Sequence, residues 1–573
     1  MQKIIYYCLI CTIFTNNILY NNRMNKVVFP VMIAGLLFLC ISAHGQNYYR
    51  ISFTDKDNTP WSLARPEQFL SERALERRLR QKIAVDSLDL PVDPQYIKGV
   101  LDIGCTFIHS SKWLNGITVK AGSENFQEKV CKLPFVKEIQ LTKRTLGTKS
   151  AVNKFADPYA PGHILEIDTT VYGSSAFQVS QLNGQFLHNN GFKGEDIHIA
   201  VLDAGFYKVD QYPAFDSLWT DGRILGTKDF VEPGSDIFEK HYHGMSVLSI
   251  MAGNIPGKLI GTAPEASYWL IRTEDISSEF LVEEDNWIAG AEFADSVGAD
   301  IINSSLGYFL FDDPAMNHTY YEMDGRTTRV TRAANIAVSR GMLVFSSAGN
   351  EGSESNKWKY IIAPSDGDSV IAVGAVNKEG VAAPFTSYGP ASDGDIKPNV
   401  VAIGWNTVVQ KSDRTVGTGN GTSYSSPVMA GMAACLWQSN LHSSASEVKS
   451  AIEKSAHLYH NPDSVLGYGI PDMRMADQIL GAAVFEQWKN PGNWLAYPNP
   501  VSDYLVLQKR IKSSTGTVQI AFYSLDGKMI RNEIRPDESR IVLRNLNMLN
   551  PGIFLMQIIS DNLTETIKIK KIP

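Results

Sequence analysis

IHIAVLDAGF, residues 197–206, is an apolar run that stops on an acid and a glycine, as a buried strand does where it leaves a sheet. Four further runs share this character: ASYWLIRTE at 266–274, ADIINSSLG at 299–307, GMLVFSSAG at 341–349 and SVIAVGAVN at 369–377. Helical patterns alternate with them, in HGMSVLSIMAG at 243–253, EDNWIAGAEFADSVG at 284–298, TTRVTRAANIAVSRG at 327–341 and SPVMAGMAACLW at 426–437. Alternation of this kind implies an α/β fold, a doubly wound parallel sheet with helices on both faces. Functional residues of such sheets collect at the carboxyl ends of the strands. Asp203 ends one expected strand, Ser305 to Gly307 end another, and Asn350 ends a third.

Chemistry-bearing residues lie in or near these strings. HYHGMSVLSIMAGN at 241–254 contains His243, and GNGTSYSSPVMAGMAACL at 419–436 contains Ser423. A serine hydroxyl is a weak nucleophile until an imidazole can take its proton, and the imidazole needs a carboxylate to fix its tautomer. The oxyanion of an acyl-transfer transition state needs donors, which the Asn350 amide and the Ser423 N–H can supply. The chain order Asp, His, Asn, Ser differs from that of the chymotrypsin and α/β-hydrolase types. Taken with GTSxxxP around Ser423, these segments resemble the subtilisin-like serine proteases, the subtilase family.

The resemblance implies a subtilisin-like fold and a secreted serine endopeptidase with Asp203, His243 and Ser423 as its catalytic triad. Asn350 would be the side-chain donor of the oxyanion hole. It also implies that Ser305, Leu306 and Gly307 pair with extended substrate, strand to strand, and that Gly349 walls the specificity pocket. FTSYGP at 385–390 and KPNVVAIG at 397–404 match family patterns as well. His241 competes with His243, but only His243 precedes a glycine and an apolar helix. Pro427 is expected in the first turn of the helix after Ser423, where its missing N–H has no consequence. The chain departs from the family at Ala204, Met245 and Tyr424, where relatives commonly carry Ser or Thr, Thr, and Met. None of these removes an atom that performs chemistry.

At 573 residues the chain is too long for one core. Residues 1–45 read as a leader: Lys26 precedes an apolar run from Val27 to Ile41, then small residues suited to signal-peptidase cleavage, and Met24 stands where a start codon would fit. Residues 46–150 give a small α+β pattern close to a subtilase propeptide. Its strands are YYRISF, ITVKA and VKEIQLTKR, its helices EQFLSERALERRLRQ and SENFQEKVCKL. The basic run from Arg73 to Arg80 reads as the solvated face of the first helix. A linker over 151–171 and a peptidase domain over 172–485 follow. Residues 490–573 read as a small antiparallel β-sandwich. YPNP at 497–500, LDGK at 525–528, PGIF at 551–554 and IKIKKIP at 567–573 resemble the type IX secretion sorting domain of Bacteroidota.

Partners and exclusions follow. A formal charge of −7 argues against nucleic acid. Protein or peptide substrates, the chain's own propeptide as inhibitor and the type IX machinery are the expected partners, with export through the periplasm to the cell surface or medium. The chemistry requires no metal and no cofactor. Structural calcium is common in the family, yet no loop here has a recognisable ligand spacing. Cys8, Cys11 and Cys40 lie in the leader, Cys105 and Cys131 could pair, and Cys435 is expected as a buried thiol. The acids Glu274, Asp275, Glu279, Glu283, Glu284 and Asp285 read most simply as a solvated loop and helix start. They could instead line the cleft and favour basic substrate side chains, or bind calcium, whose ligands are carboxylates and carbonyls. FLFDDPAMNHTYYEMDG at 309–325 is the expected seat of selectivity. The competing function is a cell-surface binding protein that keeps a subtilase scaffold without hydrolysis.

Overall fold

The computed structural model describes residues 46–144 (apart from 124), 154–155, 171–488 (apart from 354), 492–509 and 516–572 (apart from 539 and 561–562). The leader, and most of the expected linker, lie outside the described residues. No described helix is long and apolar enough to cross a membrane.

Seven parallel strands form the central sheet. In spatial order they are Val400–Ile403, Ile371–Val376, Leu343–Ser347, Ile301–Ser304, His198–Asp203, Ser267–Arg272 and Ile224–Asp229. The chain enters at His198–Asp203, runs to the edge strand Ile224–Asp229, returns to fill the place between with Ser267–Arg272, then crosses over to Ile301–Ser304 on the other side. This reversal opens a crevice beyond the carboxyl ends of those two strands. The edge strand Ile224–Asp229 and the strand Val400–Ile403 were not separate expectations of the sequence. The first is half-exposed and weakly apolar, so its pattern is faint.

Successive side chains of a strand face opposite ways, and the cores divide accordingly. Ile199 and Val201 pack with the helices His243–Ala252 and Thr422–Ser439. Ala200 and Leu202 pack on the other face with Val282–Val297 and Arg329–Ser339. All but one residue of Thr422–Ser439 is buried, which explains its small and apolar composition on every side. The exception is Ser423.

The N-terminal unit is a four-stranded antiparallel sheet ordered Thr106–Ser111, Gly116–Ala121, Asn47–Phe53, Val136–Lys143. Its helices Glu72–Arg80 and Phe126–Val130 are shorter than their periodic patterns, and Pro94–Leu101 is a further one. Cys105 and Cys131 are both free thiols rather than a pair. Cys435 is buried, its Sγ 3.2 Å from the Thr262 carbonyl.

The basic run is not a solvated face. Arg77 and Arg78 are each only 2% exposed. Both reach Asp295 of the helix Val282–Val297, at 2.5 and 2.8 Å, and Arg78 also meets Asp89 at 2.9 Å. Arg73 and Arg80 pair with Asp300. Ser111 Oγ and the Lys112 N–H donate to Glu292 of the same helix, at 2.6 and 2.8 Å. The run is therefore a docking surface, its charges compensated chiefly by Asp295 and Asp300, more than 200 positions away, with Asp89 a local partner of Arg78.

At the C-terminus a three-stranded sheet, Trp494–Tyr497, Leu505–Lys509 and Arg540–Leu543, packs on a four-stranded one. The second runs Met529–Pro536, Thr517–Ser524, Gly552–Ser560, Leu563–Lys571, and the two share one core around Phe522 and Met556. This is the antiparallel sandwich expected from the turn spacing.

Candidate active site

Asp203 is the last residue of its strand and His243 the first of its helix. Asp203 Oδ1 accepts from the Ala204 N–H at 2.7 Å and lies 2.8 Å from His243 Nδ1. The carboxylate is fully buried and the imidazole nearly so. This close approach depends on Gly244: a Cβ there would lie 2.4 Å from the Gly205 carbonyl oxygen and 2.8 Å from the Asp203 Cβ. Asp203 Oδ2 is buried without a hydrogen-bond partner among the described residues. Ala204 and Met245, two of the departures noted in the sequence, bring no hydroxyl that could reach it.

His241 has no bond to Asp203. Its Nδ1 accepts from the His243 N–H at 3.3 Å, and burial, followed by the neighbouring His243, pushes its pKa down to about 4. It is therefore a neutral acceptor that steadies the start of the His243 helix.

Ser423 stands in the first turn of its helix, which starts at Thr422 with Gly421 as N-cap at φ 145°. The positive end of the helix dipole thus faces the hydroxyl. This start is earlier than the sequence suggested, so Pro427 falls inside the helix and not in its first turn. A proline there removes the donor that would serve the Ser423 carbonyl, four residues back. Ser305 replaces it: its hydroxyl donates to the Ser423 carbonyl at 2.8 Å. The Ser423 hydroxyl is turned toward the Ser305 carbonyl at 3.3 Å rather than toward His243.

Thr422, which the sequence reading passed over, fixes Asn350. Its N–H and its hydroxyl both donate to Asn350 Oδ1, at 2.9 and 3.0 Å. The amide oxygen is thereby committed, and the amide NH2 is left for the cleft. The only advance signal for Thr422 was its place between Gly421 and the nucleophile.

Ser305, Leu306, Gly307, Gly349, Asn350, Thr422 and Ser423 all line one cleft of about 450 Å3. Phe309, Leu310, Phe311 and Asp312, from the segment expected to set selectivity, form another part of the wall. Phe155 lies with its ring 4.1 Å from that of His243 and 5.1 Å from that of His241. Lys154 enters the same cleft.

The acidic residues are not a solvated loop. Glu274, Glu283, Glu284 and Asp285 are buried. Arg50 and Arg329 hold Asp285 at 3.2 and 2.9 Å, and His318 holds Glu284 at 2.5 Å. Lys143 holds Asp275 at 2.9 Å. Glu274, Glu279 and Glu283 bring one carboxylate oxygen each within 4.8 Å of the others. The Lys154 ammonium sits among them, 2.6 Å from Glu274, 2.7 Å from Glu279 and against Glu283.

Residues 194–469 match the family model described as the Subtilase family. Residues 48–156 match the peptidase S8 propeptide domain of Bacteroidota, and 495–572 a secretion system C-terminal sorting domain. Subtilisin NAT of Bacillus subtilis subsp. natto is 29% identical over 310 residues, covering 53% of this chain and 72% of that protein. Subtilisin of Bacillus pumilus is also 29% identical over 310 residues, covering 53% of this chain and 99% of its own. Among solved structures, the self-cleaved protease domain of PatA aligns with 50% of this chain and 98% of its own, at 21% identity and a TM-score of 0.40.

Proposed function

We propose that this chain, which belongs to the subtilase family through residues 194–469, is a secreted serine endopeptidase that hydrolyses peptide bonds through an acyl-enzyme at Ser423. The observation that carries the reading is the 2.8 Å bond between Asp203 and His243, set on the same sheet crevice as the only unburied residue of the Ser423 helix.

In this reading the Ser423 hydroxyl turns from the Ser305 carbonyl to His243 Nε2 when substrate arrives. Rearrangement of this kind is ordinary, since catalytic hydrogen bonds often tighten only in the complex. Ser423 Oγ attacks the carbonyl carbon while His243 takes its proton. Asp203 holds the Nδ1–H tautomer and stabilises the imidazolium. The Asn350 NH2 and the Ser423 N–H bind the oxyanion. His243 then passes the proton to the leaving amine, and water, deprotonated by His243, releases the acyl group. Extended substrate pairs along Ser305-Leu306-Gly307 with Gly349 opposite, and no metal or cofactor takes part in the chemistry.

The N-terminal unit, proposed over 46–150, acts as an inhibitor until the chain is cut in the linker before the peptidase domain, proposed over 172–485. The sorting domain indicates a secreted or cell-surface protein. The test is hydrolysis of an unfolded protein substrate by the processed enzyme. Turnover that is lost in His243→Ala and in Ser423→Ala supports the reading. Processed, folded protein with no turnover on any protein substrate would move it to a binding protein on a subtilase scaffold.

A further inference from the structure

Lys154 is followed immediately by Phe155, whose ring lies on His243, and the propeptide match ends at residue 156. The ammonium of Lys154 is almost entirely enclosed, in contact with Glu274, Glu279 and Glu283. Glu274 and Glu283 are buried, and the Tyr308 hydroxyl donates to the second oxygen of Glu274 at 3.0 Å. Glu279 Oε1 is buried and has no hydrogen-bond partner among the described residues. Glu274 lies two residues beyond the strand Ser267–Arg272, Glu279 in the connection that follows, and Glu283 in the first turn of the helix Val282–Val297, so one strand-to-helix connection makes them converge. The same cleft holds Ser423 and Asn350.

Buried charges persist where they are paired. Here three carboxylates share one ammonium, and that ammonium belongs to a segment outside the peptidase match. Burial, then mutual repulsion of the acids, pushes Glu283 well up and Glu279 to about 8, against the pull of Lys154. Even when filled, the site holds three carboxyl groups around a single ammonium. Once Lys154 leaves, Glu274 and Glu279 face the cleft beside the nucleophile, with Glu283 buried against them.

We infer that Glu274, Glu279 and Glu283 form a substrate subsite for a lysine or arginine side chain on the N-terminal side of the scissile bond, and that Lys154 is its intramolecular occupant before processing. The inference rests on the protease reading and names the substrate class of that site: proteins with a basic residue at one fixed position before the cut. The fused Lys154 is present at high effective concentration. Free substrate with the same side chain competes only after the pro-region departs.

The test is cleavage-site profiling of the processed enzyme on a peptide library, followed by matched peptides carrying Lys, Arg, norleucine or Glu at the enriched position. Lys and Arg should be cleaved with kcat/KM at least tenfold above norleucine, and Glu should be cleaved least. In Glu274→Gln/Glu283→Gln the ratio of Lys to norleucine cleavage should collapse to less than threefold, and labelling of Ser423 by a fluorophosphonate probe reports separately whether each protein holds an activated serine. The matched peptides test the parent alone, so a variant that misfolds does not rescue the idea. Cleavage by the parent with no basic preference at any position overturns it, as does a preference unchanged in the double variant. Activity that requires a divalent cation at the acids, with no basic preference, also overturns it. Failure of the parent to label at all overturns the protease reading instead, and the subsite with it.

Discussion

Ser305 donates its hydroxyl to the Ser423 carbonyl at 2.8 Å, the carbonyl that Pro427 leaves without a helical partner. Behind Ser305 the bonding continues inward. Ser426 Oγ donates to Asn303 Oδ1 at 2.9 Å, and Asn303 Nδ2 to Ser305 Oγ at 3.3 Å. Nucleophile and substrate-facing strand are thus tied by a buried polar chain rather than by packing alone. A single hydrogen bond of this kind contributes about 0.5–1.5 kcal/mol. Ser305→Ala should lower kcat about threefold to tenfold with little change in KM, and Ser305→Thr should retain most of the rate. Adding Pro427→Ala restores an N–H donor, so the double variant should be less impaired than the sum of the single ones. Steady-state kinetics on the four proteins of the cycle check this.

Asp203→Asn should keep the fold and lose about 10^4-fold in kcat, because an amide can hold His243 in the wrong tautomer. KM should change far less. Single-turnover measurement of acylation separates the two quantities.

Gly244→Ala puts a methyl group 2.4 Å from a backbone oxygen that cannot yield easily. The expected result is a loss of about 1–3 kcal/mol in stability and a larger loss of activity, since the shift moves His243 from Asp203. Thermal unfolding and turnover of the variant measure both.

The hold of the N-terminal unit on the peptidase sheet should fail in acid. Burial alone would raise Asp295, but the Lys112 ammonium and the Arg77 and Arg78 guanidinia outweigh it and leave the carboxyl well below its ordinary value. A depressed carboxylate contributes stability above its unfolded pKa and loses it as the pH falls toward the folded one. Co-elution of the two units of a nicked chain should persist at neutral pH and decline below about pH 4. Asp295→Asn should weaken it already at neutral pH by about 3–5 kcal/mol, the usual consequence of orphaning buried charges.

Much of the site was legible because its residues sit at ends of locally patterned elements. Asp203 closes an apolar strand, His243 opens an apolar helix, and Ser423 follows a Gly-Thr pair before a small-residue helix. What was hidden is long-range. Arg77 reads as a surface residue until Asp295, 218 positions away, is known to meet it. Glu283 reads as a helix-start acid, favoured by the dipole, until the fold buries it beside Lys154. Pro427 was misplaced because helix ends, within about a turn, are the least fixed part of a sequence pattern. Here a shift of that size exchanged a harmless missing donor for one that Ser305 must supply.

The most direct test of the account is intact-mass analysis of the processed protein after reaction with a fluorophosphonate, with the adduct mapped by peptide sequencing. One adduct per chain on Ser423, absent in Ser423→Ala and strongly slowed in His243→Ala, is the result expected of an activated serine. Correctly processed, folded protein that gains no adduct, or gains it on another residue, would contradict the assignment of Ser423 as the nucleophile.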